Sequence, residues 1–422
     1  MPDGSASAHR FLPKLVTVFG EGYGLRALQR DALAGLTVAI VALPLSMAIA
    51  VASGVSPERG LYAAIVGGFL VSALGGSRFQ IGGPAGAFIV LVAATVARFG
   101  LDGLLLTVML SGAFLALAGA LRLGALIRYI PHAVIVGFTC GIAVIIFASQ
   151  LKDFAGLTLA GPEPGPIKEK LPALVAAAHT ANLFAFCLGL SVAALILVLQ
   201  RWRPQLPAML FAVVITTAAA WLLALPVETI GSHFGGVPSG LPAPQLPAMS
   251  ASTLLDVLPT ALSFTLLGAA ESLLSAKVGD GMTGRKHRYN MELLAQGIAN
   301  IGSALFGGIA VTGTVARTAT NIRAGARSPL AGMLHSVFLL AFMAAAAPLA
   351  SYIPLATLAG VLVVVAWNMA EKREFAVMLG QPRAAAVLLA TFGLTLAIDL
   401  TAGIVAGCAL PSALYFLPRK NS

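Results

Sequence analysis

Two charged residues stand inside apolar stretches of this chain, and their surroundings define the chemistry open to it. Glu271 lies in the run Leu266, Leu267, Gly268, Ala269, Ala270, Glu271, Ser272, Leu273, Leu274, with no other charge between Asp256 and Lys277. An ionised carboxylate in such a run is costly, so it must be protonated, paired or beside water. Arg317 follows closely on Gly307, Gly308, Thr312, Gly313 and Thr314. A second break, Gly82, Gly83, Pro84, Ala85 and Gly86, opens another apolar run. Glycine and proline there keep the incoming segment from becoming helical, and proline suits the first turn of a helix. Both runs therefore read as half-helices whose N-termini end inside the apolar layer.

A helix N-terminus offers unpaired N–H groups and about half a positive charge. Two of them facing each other make an anion site without a lysine, and Arg317 adds a full charge. The expected anion-binding residues on this reasoning are Gly83, Pro84, Ala85 and Gly86 with Thr312, Gly313, Thr314 and Arg317. The plainer readings are that the glycine and proline pairs only break loops, and that Arg317 snorkels to the surface. For Glu271 the alternatives are a structural salt bridge with Arg317 or a titrating group that couples proton movement to solute movement, and one residue can do both.

Other constellations fail. The six histidines have no metal-ligand spacing, and His132 and His335, near the ends of apolar runs, read as polar contacts between helices. There is no Walker lysine, which excludes ATP as the energy source, and no grouping of nucleophile, base or metal ligands that an enzyme would need. No cofactor or metal is expected. Cys140, Cys187 and Cys408 lie in apolar runs and read as small buried thiols. The basic segment 280–288 reads as a topology anchor, and Asp399, at the end of a run, carries no role.

The elements that must hold these residues are membrane spans. Of the 422 residues 58% are hydrophobic and only 10% charged, against about 25% charged in a soluble domain. The alternating ten-residue strands of a β-barrel are absent. The net charge of +10 comes from basic residues set singly or in pairs at the ends of apolar runs, a topology pattern and not a nucleic-acid surface. The expected spans are 31–50, 60–76, 84–97, 103–121, 128–150, 180–200, 205–225, 254–276, 290–308, 312–325, 328–349, 353–370, 384–399 and 400–418. With the N-terminus inside, twenty of the 26 lysines and arginines fall on cytoplasmic segments and five outside, leaving Arg317 within the tenth span. That split predicts an even number of spans with both termini cytoplasmic. The first thirty residues, with Arg10, Lys14, Arg26 and Arg30, read as a cytoplasmic lead-in and not a cleavable signal peptide.

The stretch 225–247, rich in proline and glycine and free of lysine and arginine, divides the chain into seven spans and seven. Seven is odd, so the second half enters from the opposite side and the halves form an inverted repeat. At an offset of about 227 residues, Gly86 falls on Gly313 and Pro44 on Glu271. The expected fold is thus an all-α polytopic membrane protein of about fourteen helices in a 7+7 inverted repeat, with half-helices at spans 3 and 10.

At this point the residues resemble a known family. Leu43, Pro44, Leu45, Ser46, Met47, Ala48, Ile49 and Ala50, followed by Gly54, Pro57, Gly60, Leu61 and Tyr62, resemble the first-span motif of the sulfate permease family, also called solute carrier family 26. Gly83 with Pro84, Glu271, Asn290 with Glu292 and Leu293, Gly307 with Gly308, Thr312 with Gly313, Arg317 with Thr318 and Ala319, Gly325 with Ala326, and Ala331 with Gly332 fit the same pattern. The resemblance implies a core (31–121 and 254–349) moving against a gate (128–225 and 353–418) within one transmembrane domain. It also implies transport of a small anion such as sulfate, bicarbonate, a halide or a dicarboxylate, with proton or sodium coupling in bacterial members, in the cell inner membrane and commonly as a homodimer.

Three departures stand out. Leu45 occupies a position where the family commonly has glutamine, and Ala316 precedes Arg317 where many animal members have serine. Both join the expected substrate site, and the loss of two polar groups leans the reading towards a carboxylate solute. Family members continue into a cytoplasmic STAS domain, which is absent from this sequence ending Arg419, Lys420, Asn421, Ser422. The expected function is proton-coupled uptake of a small anion by alternating access. An uncoupled anion channel on the same scaffold is one alternative. The other is a nucleobase:cation symporter, which would want polar side chains reading a neutral ring in place of Arg317.

Overall fold

The computed structural model describes residues 11–124, 132–161, 163–164, 167–203, 206–247, 251–397 and Gly403. A short lead-in helix α1 (Lys14–Gly20) is followed by α2 (Leu25–Ala52), which carries the first expected span. The second span is α3 (Pro57–Tyr62) and α4 (Gly68–Leu74), joined by a π-helical turn, Ala63–Gly67. A two-residue strand β1 (Gly82–Gly83) and a 3₁₀ turn, Gly86–Phe88, lead into α5 (Ile89–Ala120). Then come α6 (His132–Ala155), a surface helix α7 (Ile167–Ala176), α8 (Leu183–Trp202), α9 (Ala208–Leu222) and a short α10 (Ile230–Phe234). The second half contains α11 (Ala251–Thr283), α12 (Tyr289–Leu305), strand β2 (Thr312–Gly313) and α13 (Val315–Arg323). It continues with α14 (Leu330–Ala350), α15 (Leu355–Met369), α16 (Lys372–Leu379) and α17 (Pro382–Ala397).

Seven helical stretches among the described residues are long and apolar enough to cross a membrane. The larger number of expected spans has physical reasons. Gly100 sits inside α5 at φ 68 and ψ −169, a backbone that breaks the helix and separates spans 3 and 4 where the sequence placed a boundary. The tenth span is a nine-residue helix. The ninth, α12, is seventeen residues with a buried polar stripe of Glu292, Gln296 and Asn300 at four-residue spacing. The expected fourteenth span, 400–418, lies outside the described residues, as do Asp399 and Cys408. Four helices, α1, α7, α10 and α16, were not expected, because short surface helices leave no apolar run of spanning length.

Helices α2–α5 pack with α11–α14, the closest pairs being α5 with α12 and α2 with α14. Helix α6 packs on α8, α15 and α17, while α9 lies on α8. Between these groups α2 touches α9 and α15. Two buried carboxylates tie the halves of the chain together. Asp31 on α2 accepts from Arg327 N (2.6 Å), Ser328 N (3.2 Å), Ser328 Oγ (2.5 Å) and Tyr23 Oη (2.6 Å), holding the loop between α13 and α14. Glu292 on α12 accepts from Gly76 N (2.9 Å) and Ser77 N (3.0 Å), holding the segment between α4 and β1. Each carboxylate thus caps a turn contributed by the other half.

The described part of the lead-in, from Phe11 on, is docked against the bundle. Lys14 N donates to Gly75 O (2.9 Å), Arg288 Nη1 donates to Leu12 O (2.6 Å) and Thr17 Oγ1 (3.0 Å), and Arg78 pairs with Glu21. The segment 280–288 is therefore more than a solvated anchor: His287 and Arg288 are buried, and His287 Nδ1 lies 2.7 Å from Asp280 Oδ2.

Candidate functional site

Two broken helices meet end to end at the middle of the bundle. Strands β1 and β2 pair antiparallel, Gly82 opposite Gly313 and Gly83 opposite Thr312, and Thr314 N adds a bond to Ile81 O at 3.1 Å. Extended backbone is tolerated at membrane depth only where its polar groups are satisfied inside the protein. Side chains complete the task. Asn300 accepts from Val311 N (2.9 Å) and donates to Val311 O (2.8 Å), Ser303 Oγ donates to Ile309 O (2.7 Å), and Arg59 Nη1 donates to Gly307 O (2.8 Å). On the other strand Asn321 Nδ2 donates to Phe79 O (2.9 Å), and Ile81 N donates to Thr318 Oγ1 (3.3 Å).

Ala85 and Thr314 are the residues that precede the two helical starts. They correspond to each other, which corrects the expected match of Gly86 with Gly313: the offset is two residues longer here than around Pro44 and Glu271. At both crossing strands the end of a side chain from the other half occupies the place where a Cβ would stand. A Cβ on Gly83 would lie 1.9 Å from Arg317 Nη1, and one on Gly313 would lie 1.7 Å from Gln80 Nε2.

Arg317 is 3% exposed, so it does not snorkel. Its Nη2 donates to Ser46 Oγ on α2 at 3.2 Å, while Nε and Nη1 have no hydrogen-bond partner among the described residues. Glu271 is half-buried on α11, and its Oε2 is likewise buried without a partner. No Glu271–Arg317 ion pair occurs among the described residues, so the structural salt bridge is not formed. Around them, Thr312 Oγ1 donates to Gly268 O (3.2 Å), one turn before Glu271, and Gln80 Nε2 donates to Ser272 Oγ (2.8 Å). The arrangement brings a fixed cation, two helix N-termini and an unpaired carboxylate around one place, with the chemistry to hold an anion and a proton near each other.

Of the other expected residues, Pro84 and Ala85 are buried, Leu45, Gly86 and Thr314 are half-buried, and Ala316 is exposed at the start of α13. Gly86 faces Ile146 of α6 and Met369 of α15, at 3.4 and 3.7 Å from an ideal Cβ. Residues missed by sequence reasoning are Ser46, Gln80, Ser272, Asn300 and Thr318. Ser46, Ser272 and Thr318 stand next to Leu45, Glu271 and Arg317, so a signal was available for them. Gln80 carried none, since only the strand crossing brings it over Gly313. His132 lies 3.8 Å from Glu374, a contact between helices as expected. His335 is fully buried and makes no hydrogen bond to another helix among the described residues, which departs from the expected polar contact. Cys140 is buried as expected, but Cys187 is exposed on the outer face of α8, beside exposed Phe184, Phe186 and Leu190.

An all-α bundle broken twice at mid-depth, with the breaks paired and an arginine beneath them, defines a polytopic membrane transporter of the inverted-repeat kind. The chain belongs to the sulfate permease family, whose sequence pattern matches residues 28–391. It is 42% identical over 405 residues to the protein named "Putative sulfate transporter YvdB" of Bacillus subtilis (strain 168), covering 95% of this chain and 76% of that one. It is 33% identical over 404 residues to the bicarbonate transporter BicA of Synechocystis sp. (strain ATCC 27184 / PCC 6803 / Kazusa), covering 92% and 70%.

Among solved structures, the transmembrane domain of a cyanobacterium bicarbonate transporter BicA superposes with a TM-score of 0.81 at 32% identity, covering 90% of this chain and 98% of that one. SLC26A9 superposes at 0.87 over 96% of this chain and 68% of that one, with 18% identity, a likeness of fold alone. The relatives are named transporters, and the chain is accordingly a multi-pass anion transporter and not an enzyme.

Proposed function

We propose that this chain takes up a small oxyanion, bicarbonate or sulfate, together with a proton. In this reading the anion sits between the starts of α5 and α13, against Arg317 and the residues Gly83, Pro84, Ala85, Gly86, Thr312, Gly313 and Thr314, with Leu45 and Ala316 at its edge. The observation that carries it is Arg317, buried where two helix N-termini converge and left with two guanidinium nitrogens that have no partner among the described residues. The relatives' names favour sulfate and bicarbonate over a dicarboxylate. The carboxylate lean rested on polar groups lost at Leu45 and Ala316, and Ser46, Gln80 and Thr314 now supply polar atoms nearby.

The packing supports alternating access in this reading: α2–α5 with α11–α14 act as the core and carry the site, and α6, α8, α9, α15 and α17 act as the gate. Glu271, buried at one oxygen and unpaired, is the proton carrier. Both termini lie on the cytoplasmic side of the inner membrane, in keeping with the lysine and arginine count. Homodimer formation is part of the same proposal.

Reconstituted protein tests it. Proteoliposomes should accumulate labelled sulfate or bicarbonate when the outside is made acidic, and show counterflow, which a channel does not give. Glu271→Gln should keep counterflow and lose accumulation driven by the pH gradient. If the variant concentrates solute as well as the parent does, Glu271 is not the proton carrier. Uptake of a dicarboxylate in place of both inorganic anions would reverse the choice of solute.

A further inference from the structure

A second feature of the bundle lies away from the anion site. A cavity of about 590 Å³ opens between α2, α9 and α14, within the range of volumes that hold small ligands. Its floor is Pro44 and Met47 on α2 with Met343 on α14, both methionines 2% exposed. Its mouth is formed by Trp221 at the end of α9 and by Tyr352 just beyond α14, 63% and 51% exposed. Tryptophan and tyrosine in such positions mark the bilayer interface. The lining is hydrocarbon almost throughout. Its side-chain hydroxyl deep in the wall, Thr217 Oγ1, is buried without a hydrogen-bond partner. Below the Trp221 and Tyr352 groups at the mouth, an anion would find no other side-chain donor among the lining residues.

We propose that this cavity takes one acyl chain of a membrane lipid, which enters between Trp221 and Tyr352 and ends against Met47 and Met343. The occupant follows from continuity: the cavity opens on the apolar outer face of the bundle, where Val214, Leu222 and Leu349 are exposed and meet hydrocarbon. By helical spacing Leu43, Pro44 and Met47 share one stripe of α2, and Leu45 points to the opposite side, towards the anion site. Pro44 also removes a backbone donor from this helix. A chain in the cavity therefore presses on a weakened turn of α2 and stands as a wedge between it and α9. Resting on the transport reading above, this wedge slows the sliding of α2 past α9, so transport depends on the lipid.

The test uses the full chain in nanodiscs of phosphatidylethanolamine and phosphatidylglycerol, doped with phosphatidylcholine carrying a diazirine at the chain end. Illumination and peptide mass spectrometry should find adducts on Met47 and Met343, side chains that bulk lipid does not reach. Ala346→Trp, which fills the cavity, should lower those adducts by about tenfold, as loss of about 1.4 kcal/mol of binding would. Ala218→Leu serves as a milder filler if the first variant folds poorly, and the mapping on the unaltered chain needs neither. Adducts confined to Trp221, Leu349 and Tyr352 would overturn the proposal. So would an Ala346→Cys variant that forms a disulfide-linked dimer, because a second copy then covers the opening. Labelling is read separately from uptake, so failure here leaves the anion site standing, and failure of uptake leaves the labelling result readable.

Discussion

Ala85 and Thr314 precede the two broken helices with nearly the same extended backbone, φ −118 and ψ 145 in one, φ −108 and ψ 128 in the other. Beyond that shared start the halves diverge. Helix α5 continues apolar through Ile89, Leu91 and Val92 and is joined by Phe88 packed on Phe264, ring centroids 5.4 Å apart. Helix α13 is short and polar, with Arg317, Thr318 and Asn321 buried on one face. The exchange across the crossing is reciprocal, since Arg317 of the second half lies over Gly83 of the first, and Gln80 of the first lies over Gly313 of the second. One repeat supplies a rigid apolar wall and the other supplies charge. An inverted pair conserves the backbone that makes two positive helix ends and leaves the side chains free to divide the work.

The sharpest way to break this comparison is to reverse the charge that only one half carries. Arg317→Glu should lower uptake in proteoliposomes by about a hundredfold or more, because a buried carboxylate then faces the incoming anion. Unchanged uptake would mean that the helix ends alone attract the solute. Gly83→Ala tests the exchange from the other side: the new methyl displaces the guanidinium of Arg317 and adds some backbone strain at φ 158, and uptake should fall by about tenfold with most of the loss in apparent affinity. A Gly83→Ala, Arg317→Lys double variant should lose less than the two single losses summed as free energies; full additivity would show that the two sites act independently.

The two carboxylate clamps allow a comparison of stability. Glu292→Gln and Asp31→Asn should each lower stability by about 2–3 kcal/mol, the worth of hydrogen bonds to a charged group, read as a fall in the midpoint of detergent-solubilised thermal unfolding. Asp31 holds three protein donors besides the Tyr23 hydroxyl, so its loss should be the larger.

The smallest effect concerns α1, which both halves hold, the first through Gly75 and Arg78 and the second through Arg288. Burial, and then the Arg288 and Arg78 guanidinium groups, holds the Lys14 ammonium down to about 8. A group depressed in the docked state binds fewer protons there, so docking is flat below about pH 8 and tightens as pH rises from there towards the ordinary lysine value. A nitroxide at Val16 should lose mobility across that window, and Lys14→Met should remove the dependence.

Much of the architecture was legible because membrane burial leaves a coarse signal. Apolar run lengths and the placement of arginines located the spans, and Gly82, Gly83, Pro84 and Gly313 marked where helices had to start late. The boundary near Gly100 was legible for the same reason. The pairing of Gly82 with Gly313 was not, since two-residue strands have no periodicity to read and their partners lie far apart in sequence. The Gln80 and Ser46 contacts depend on that pairing, so they were hidden with it. Glu292, Gln296 and Asn300 form a polar stripe that the four-residue spacing displays, but a stripe says only that a face is buried, and not that it grips Gly76 and Ser77.

The cross-clamping has a consequence for how the chain is made. As the first seven spans leave the ribosome, Asp31 has no Arg327 or Ser328 to hold, β1 has no partner strand, and the segment at Gly76 and Ser77 has no Glu292. Their backbone groups must wait in the bilayer, or in the translocation machinery, until the second half has been inserted. The first half is therefore an intermediate in need of protection, and a stop codon between the repeats should yield a fragment that proteases remove and that co-expression of the missing half restores.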